Sequence, residues 1–217
     1  MTAAIIMMME NNKKRKDDKP LVVAITGTPG TGKTALSRIA AGKLGFTHVD
    51  VSELIKSNVN ELGVGWDSER RTIIADTAAT RRRIVELIRQ NRKGSPGFVI
   101  DGHFSPEVCK PDLVIVLRCH PEKLRKRLKA RSGWRELKVR ENVEAECIDS
   151  CFIHAKETGG SARIIEIETC GTVSGDSGKV MDTIRSFMKL KKPGTKGKRS
   201  GRRGGSEFDY SGCLSHQ

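Results

Sequence analysis

Short apolar runs alternate with stretches of helical periodicity along most of the chain. Continuous apolar runs such as LVVAI, GFVI and LVIVL predict strands that are buried on both faces. The predicted strands cover residues 21–25, 46–51, 97–100, 113–117 and 163–167. The predicted helices cover residues 34–44, 52–57, 69–92, 121–130, 136–157 and 177–190, with a loop at 60–68. This alternation predicts an α/β fold in three layers around a five-stranded parallel sheet.

A phosphate-binding loop is the strongest motif in the sequence. Residues 27–34 read GTPGTGKT and match the pattern GxxxxGK[ST] at every fixed position. A predicted buried strand precedes the motif and a predicted helix follows it, which is the expected context. Glycines let backbone N–H groups surround phosphate oxygens, and the helix N-terminus adds a positive dipole end. Lys33 is expected to bind the β- and γ-phosphates, and the Thr34 hydroxyl to ligate Mg²⁺.

An acidic side chain is predicted at the carboxyl end of a neighbouring strand. Asp101 directly follows the run GFVI and begins the tripeptide Asp-Gly-His. Ligands of doubly wound sheets bind at this edge, so Asp101 could hold Mg²⁺ directly or through water. His103 could orient a water molecule or a phosphate. The structural alternatives are a helix or turn cap for Asp101 and a loop histidine without a chemical role for His103.

Two insertions could cover substrates bound at the phosphate loop. Residues 50–75 form a mixed polar and apolar insertion in which Glu53, Lys56 and Arg70 are the charged candidates. A solvated surface lysine is an equally good interpretation of Lys56. Residues 130–140 contain four basic residues and one acidic residue, and they are typical of a lid that brings arginines onto phosphates. Arg131 is the first candidate in this lid and Arg135 the second; a basic connection between helices is the structural alternative.

The net charge of +14 is concentrated partly in one terminal segment. Residues 189–217 contain eight basic and two acidic residues and are rich in glycine, which predicts a disordered basic tail over residues 191–217. The tail is either a solubilising terminus or an arm that contacts RNA or an acidic partner. Residues 1–19 are predicted to be a disordered leader, with Met7–Met9 as alternative start positions. The domain that contains the phosphate loop is therefore expected at residues 20–190.

Cysteine content and hydropathy exclude two classes of protein. The six cysteines are irregularly spaced, which does not indicate a disulfide scaffold. Cys147 and Cys151 are four residues apart on one predicted helix, and we interpret them as a buried, reduced pair that shares a face. We expect no metal other than the Mg²⁺ that accompanies the nucleotide. The sequence contains no run of about 18 apolar residues, so we predict no membrane span.

Four segments together resemble the adenylate kinase isoenzyme-six family, an archaeal and eukaryotic group linked to small-subunit ribosome assembly. The segments are ITGTPGTGKTALSRIAAGKLGFTHVDVSELI, VIDGH, PDLVIVLRCHPEKLRKRLKAR and KVRENVEAECIDSC, and the resemblance covers about residues 21–190. It implies a P-loop nucleoside monophosphate kinase fold with a small monophosphate-binding insertion at about residues 50–73 and a short lid at about 130–140. It also implies reversible transfer from ATP to AMP, often accompanied by ATPase activity.

The resemblance also assigns site residues and partners. The implied ATP contacts are Gly30, Thr31, Gly32, Lys33, Thr34, Ala35 and the lid arginine Arg131. The implied catalytic residues are Lys33, Asp101, His103 and Arg131, with Thr34 and Asp101 at Mg²⁺. The implied monophosphate-binding residues are Ser52, Lys56 and Arg70. The family implies a cytoplasmic protein with a small-subunit ribosomal protein and rRNA as partners, and no membrane.

Two departures from related kinases keep alternatives open. Lys56 stands where related kinases commonly have arginine, which replaces a planar fork by one point charge. The Asp-Gly-Phe-Pro-Arg sequence of ordinary adenylate kinases is matched only at Asp101 and Gly102. A ribosome-assembly ATPase whose kinase activity is incidental, and a kinase for another small acceptor, therefore remain alternative functions.

Overall fold

The computed structural model describes residues 19–169, 171–191, 208–210 and 212–213. The strands within these residues are β1 (Leu21–Gly27), β2 (Thr47–Asp50), β3 (Gly63–Asp67), β4 (Thr72–Ala75), β5 (Gly97–Asp101), β6 (Leu113–Arg118) and β7 (Arg163–Glu168). The helices within them are α1 (Lys33–Leu44), α2 (Val51–Ser57), α3 (Val59–Leu62), α4 (Thr77–Asn91), α5 (Ser105–Val108), α6 (Pro121–Lys129), α7 (Glu136–Cys147), α8 (Ser150–Thr158) and α9 (Val173–Lys191).

The core is a five-stranded sheet in the order β2-β5-β1-β6-β7, and every neighbouring pair is parallel. Helices α1 and α9 cover one face, where Leu36 and Ile184 pack against the strands. Residues of α2, α4 and α8 cover the other face, among them Ile55 and Ala155. Because both faces are covered, β1, β5 and β6 are buried along their whole length and their sequences are continuously apolar. The predicted α/β fold with a five-stranded parallel sheet is confirmed.

The insertion after α2 differs from the prediction. Residues 60–68 are not a loop and residues 69–92 are not one helix, because β3 and β4 form an antiparallel hairpin and α4 begins only at Thr77. The Asp76 side chain accepts the backbone N–H of Ala79 at 2.8 Å and caps α4 there. The preceding sequence TIIA is β-branched, which favours a strand. Arg71 turns the hairpin with a φ of 49°, in the left-handed region.

The prediction of one continuous helix over residues 136–157 is wrong. This segment is divided into α7 and α8 by Ile148 and Asp149, and Asp149 has a φ of 57°. The Asp149 carboxylate accepts a hydrogen bond from the buried Arg118 guanidinium, which stabilises this left-handed conformation. Cys147 and Cys151 therefore lie on two different helices and do not share a helical face.

Element ends differ from the prediction in smaller ways. Helix α2 begins at Val51, one residue earlier than predicted, and the Asp50 side chain caps it by accepting the backbone N–H of Glu53 at 3.1 Å. Helix α9 begins at Val173, four residues earlier than predicted. No helix among the described residues is long and apolar enough to cross a membrane.

The predicted terminal segments fall mostly outside the described residues. The leader does so over residues 1–18 and the basic tail over residues 192–207, 211 and 214–217. Residues 208–210 and 212–213 are described and contact the domain, which differs from the predicted disorder of the tail. The Tyr210 ring, for example, lies 5.3 Å from the guanidinium carbon of Arg118.

Two glycine substitutions should separate steric constraint from helix propensity. Gly27 has a φ of 140°, and a Cβ there would lie 2.4 Å from the Leu117 carbonyl oxygen. We expect Gly27→Ala to lower the free energy of unfolding by about 2 kcal/mol or more, from overpacking and backbone strain. Gly42 lies in α1, and a Cβ added there would have no tertiary neighbour within 4 Å. Gly42→Ala should therefore raise the free energy of unfolding by about 0.5–1 kcal/mol. Urea unfolding measures both; equal effects would contradict the close approach of β1 to β6.

Candidate active site

The phosphate loop connects the carboxyl end of β1 to the N-terminus of α1. Gly30 and Gly32 have φ values of 98° and 95°, which glycine adopts without strain. A Cβ at Gly30 would lie 2.8 Å from side-chain carbons of Leu124 and Leu128, so the loop packs closely against α6. The first N–H groups of α1 have no intrahelical partner and can bind an anion, as the sequence predicted.

Lys33 is held beside the loop by backbone carbonyl groups. Its Nζ donates to the carbonyl oxygens of Gly27 at 2.7 Å and Thr28 at 3.1 Å. Burial lowers the pKa of this ammonium group, while the nearby Asp101 carboxylate is among the groups that raise it. The ammonium group is therefore desolvated and can transfer its hydrogen bonds to phosphate oxygens.

The predicted pair of magnesium ligands lies together at the sheet edge. The Thr34 hydroxyl donates to Oδ2 of Asp101 at 2.8 Å, and Asp101, the last residue of β5, is only 1% exposed. The other oxygen, Oδ1, lies 2.5 Å from Nε2 of His48 on β2. A hydroxyl and a carboxylate at the end of a phosphate loop fit Mg²⁺, whose remaining ligands are water and phosphate. Sequence reasoning missed His48, because its role depends on the pairing of β2 with β5.

His103 lies at the rim of this site, and the residue as a whole keeps access to solvent although protein atoms surround its ring. Surrounding protein atoms desolvate the imidazole and lower its pKa to about 4, and the positive charge of Lys33 adds to this effect. The ring packs edge-on against Phe104, with centroids 4.6 Å apart. At pH 7 the ring is neutral, so it can position a water molecule or a phosphate by hydrogen bonding, and it adds no positive charge.

The predicted lid at about residues 130–140 covers the turn between α6 and α7 and the first part of α7, and the name lid is used below for the whole segment of residues 121–147. Arg131 begins this turn, and its guanidinium carbon lies 5.4 Å from the centroid of the Trp134 ring. The charge of Arg131 is among those that lower the pKa of Lys33, which places it near the phosphate loop. Arg135 is exposed at the N-cap of α7. Arg127, which sequence reasoning missed, lies one helical turn before Arg131, and its Nη1 is 3.5 Å from the Gly30 carbonyl oxygen.

The three predicted monophosphate-binding residues lie on two elements, α2 and the β3–β4 hairpin. Ser52 and Lys56 are exposed on α2. Arg70, in the β3–β4 hairpin, binds the lid residue Glu141, with 2.9 Å between Nη2 and Oε1. Lys138 of the lid donates to the Arg70 carbonyl oxygen at 3.0 Å, so the hairpin and the lid are linked at two points.

A cavity of about 440 Å³ separates the hairpin from the turn of the lid. Trp66, Arg71, Trp134 and Arg135 contribute to its walls. The Trp66 side chain is 60% exposed, so this cavity opens broadly to solvent.

A buried charged network supports the phosphate loop from below. The Thr28 hydroxyl donates to Oε2 of Glu146 at 2.5 Å, and Oε1 of Glu146 accepts from Nε of Arg118 at 2.8 Å. Arg118 also donates from Nη1 to Glu166 at 2.5 Å and from Nη2 to Asp149. Arg118 and Glu146 are only 1% and 2% exposed. Burial lowers the pKa of Arg118, but its bonds to Glu146 and Glu166 outweigh this effect and raise it.

Cys151 lies at the phosphate loop, and Cys147 belongs to the core of the lid. The Cys151 Sγ is 3.9 Å from the Thr28 hydroxyl oxygen, and burial raises the pKa of this thiol. Cys147 packs with Leu124 and Val143 between α6 and α7. The two thiols therefore belong to different environments.

Comparison with known proteins gives consistent similarities. A family model described as "AAA domain" matches residues 23–149. A Methanosarcina acetivorans protein named "Putative adenylate kinase" is 36% identical over 172 residues, which cover 76% of this chain and 89% of that protein. A Methanocaldococcus jannaschii protein of the same name is 33% identical over 170 residues, covering 78% and 87%. The solved structure of shikimate kinase from Bacteroides thetaiotaomicron has a TM-score of 0.49 at 15% identity, and covers 76% of this chain and 98% of that one.

Removal of the buried guanidinium should destabilise the fold strongly. Arg118→Ala leaves Glu146 and Glu166 buried without their partner, so we expect the free energy of unfolding to fall by about 3–5 kcal/mol. Arg92→Ala, at an exposed arginine after α4, should change it by less than about 0.5 kcal/mol. Thermal and urea unfolding measure both variants. An Arg118→Ala protein as stable as Arg92→Ala would show that the network contributes nothing to stability.

Proposed function

Because the chain belongs both to the family described as "AAA domain" and to the archaeal group named "Putative adenylate kinase", we propose that this nucleotide kinase transfers a phosphoryl group reversibly from ATP to AMP. The convergence of Lys33, Thr34 and Asp101 at one edge of the sheet carries this proposal. The products of the forward reaction are two molecules of ADP.

ATP binds in this proposal with its β- and γ-phosphates in the loop. Backbone N–H groups of residues 30–35, from Gly30, Thr31 and Gly32 to Ala35, surround the phosphate oxygens. Lys33 exchanges its carbonyl partners, 2.7 and 3.1 Å away, for phosphate oxygens. Thr34 and Asp101 hold Mg²⁺, which neutralises phosphate charge when it is bound.

The lid supplies cations to the transferring phosphoryl group. Arg131 is the principal candidate, because its charge acts on Lys33 and because a guanidinium bonds two phosphate oxygens at once. Arg127, beside the loop at Gly30, is a second candidate. Closure of the lid excludes water, which favours transfer to AMP over hydrolysis. The neutral His103 ring at the rim positions a water molecule or a phosphate oxygen.

AMP binds in this proposal in the insertion at residues 50–73. Ser52 and Lys56 on α2 and Arg70 in the hairpin are its candidate partners. Lys56 offers one point charge, which favours weak AMP binding compared with a bidentate arginine. Arg70 is paired with Asp67 and Glu141, so it has to release these carboxylates before it can bind a phosphate.

The first test is AMP-dependent formation of ADP from ATP and Mg²⁺. We expect Lys33→Ala to lower kcat by at least about 10³-fold, because charge neutralisation and positioning carry most of the catalysis. Arg131→Ala should lower it by about 10²–10³-fold, as for other preorganised transition-state donors. Lys43→Ala, at an exposed lysine on the same helix as Lys33, should leave the rate unchanged.

Two results would refute the proposal. If ADP formed no faster with AMP than in the ATPase background, AMP would not be the acceptor. If Lys33→Ala retained the wild-type rate, the proposed site would be wrong. A panel of small hydroxylated acceptors then tests the remaining kinase alternative.

A second proposal adds ATPase activity and a cytoplasmic role in small-subunit rRNA maturation. It rests on the family resemblance and on the basic composition of residues 192–207, which contain six basic residues and one acidic residue. In this role ATP turnover switches a contact with a small-subunit ribosomal protein and rRNA, and kinase activity is incidental. Both activities can reside in one protein.

A charge-removal variant tests this second role. Replacing Lys196, Lys198, Arg199, Arg202 and Arg203 by Gln leaves residues 208–213 in place and should weaken RNA binding, with a log–log salt slope that is less steep by about 4. Binding to small-subunit components is measured with and without ATP. Binding that does not respond to nucleotide would argue against a switch. RNA binding that is unaffected by the substitutions would show that residues 192–207 do not contribute to it.

A further inference from the structure

A C-terminal segment, here called the strap, lies against the base of the lid. The strap comprises the described residues 208–210 and 212–213. It is separated from the end of α9 by 16 residues of the chain. Its contacts are with both ends of the lid.

The aromatic residues of the strap cover the entry to the lid. Phe208 and Tyr210 place their rings 5.9 and 5.3 Å from the guanidinium carbon of Arg118, the last residue of β6. Tyr210 also contacts the ring of His120 edge-on, with 5.6 Å between centroids. His120 is the N-cap of α6, so the strap lies over the connection through which the chain enters the lid.

The end of the strap lies at the exit from the lid. Cys213 packs against the apolar cluster between α6 and α7, which includes Cys147, the last residue of α7. Burial and, to a smaller extent, the neighbouring Cys213 thiol raise the pKa of Cys147 to about 11. The chain leaves the lid two residues later, at Asp149, where the backbone is left-handed.

These two connections are the natural hinges of the lid. Helices α6 and α7 pack on each other through their own apolar cluster, including Leu124, Leu128 and Val139, so they can move as one body. Movement of that body relative to the sheet requires changes at residues 118–121 and 147–150, and it also requires Glu146 of α7 to shift relative to Arg118 and Thr28. Hinges of closing domains are commonly a few residues at element ends.

We propose that the strap bridges both hinges and restrains the lid in cis. The strap sets the resting position of Arg131 and makes opening of the lid more difficult. It also covers Arg118, which is linked through Glu146 to Thr28 of the phosphate loop. The kinetic consequence rests on the proposed kinase function, whereas the restraint itself does not.

Two truncations form a matched pair for the test. A chain ending at Glu207 lacks the strap, and a control chain ending at Cys213 retains it. We expect hydrogen exchange of amides in residues 119–149 to be at least about threefold faster without the strap, with the sheet unchanged, because the hinges lose contacts that oppose local opening. This measurement does not depend on which reaction the enzyme catalyses.

Kinetics give a second and separate readout. Without the strap we expect kcat to rise about threefold, because product release from a closing lid often limits turnover. The KM for ATP should rise by a similar factor, because the closed state with ATP is less favoured. Addition of a synthetic peptide with the sequence FDYSGCLSHQ should reverse both changes.

Point variants in the full chain guard against general destabilisation. Phe208→Ala combined with Tyr210→Ala removes the aromatic contacts and keeps the rest of the chain, and it should reproduce the truncation. Equal exchange in residues 119–149 for the two truncated chains would overturn the proposal. So would faster exchange spread evenly over the sheet, since that indicates global destabilisation. If the exchange difference is found but no AMP-dependent ADP forms, the restraint by the strap is supported and the proposal that AMP is the acceptor is refuted.

Discussion

The active site depends on the compensation of one buried positive charge. The Arg118 guanidinium ends β6, and carboxylates from three other parts of the chain approach it: Glu146 from the lid, Asp149 from the helix break and Glu166 from β7. A buried guanidinium is unfavourable unless its N–H groups are hydrogen-bonded. Separation of these elements would leave the charge unpaired, so the ion pairs hold them together. The Glu146 carboxylate also accepts a hydrogen bond from Thr28 in the phosphate loop, so the position of the loop depends on the same buried charge. The loop is therefore fixed by a side chain that need not touch a nucleotide.

Parallel topology explains why the chemistry gathers at one edge of the sheet. β1, β5 and β6 are neighbours, and their carboxyl ends deliver the phosphate loop, Asp101 and Arg118 to the same side. The strand order reverses around β1, which opens a crevice where ligands of doubly wound sheets bind. The apolar strands contribute no chemistry, but their burial fixes the positions of the polar residues that follow them. Lys33 and Thr34 are brought close to Asp101 in this way, although Thr34 and Asp101 are 67 positions apart in the sequence.

The sequence predicted those features that local rules determine. The phosphate loop is a contiguous motif between a strand and a helix, and Asp101 could be placed because it directly follows an apolar run. The break at Ile148 and Asp149 could not be predicted, since the left-handed Asp149 is stabilised by Arg118, 31 residues away. The β3–β4 hairpin was missed because its strands are short and exposed, without a continuous apolar run. His48 lay within a predicted strand and Arg118 directly after another, and the partners of both are set by strand pairing and helix packing.

The contact between the hairpin and the lid connects two segments outside the core by a path that does not pass through the sheet. Arg70 joins Glu141, and Lys138 joins the backbone of Arg70, so a displacement of either segment alters the other. Any ligand that prefers one arrangement of the lid thereby changes the free energy of a ligand on the hairpin side. Thermodynamic linkage makes this effect reciprocal, with the same factor in both directions. Coupling of this kind would act through three surface side chains, Arg70, Glu141 and Lys138, so substitutions there would change it without altering the phosphate loop.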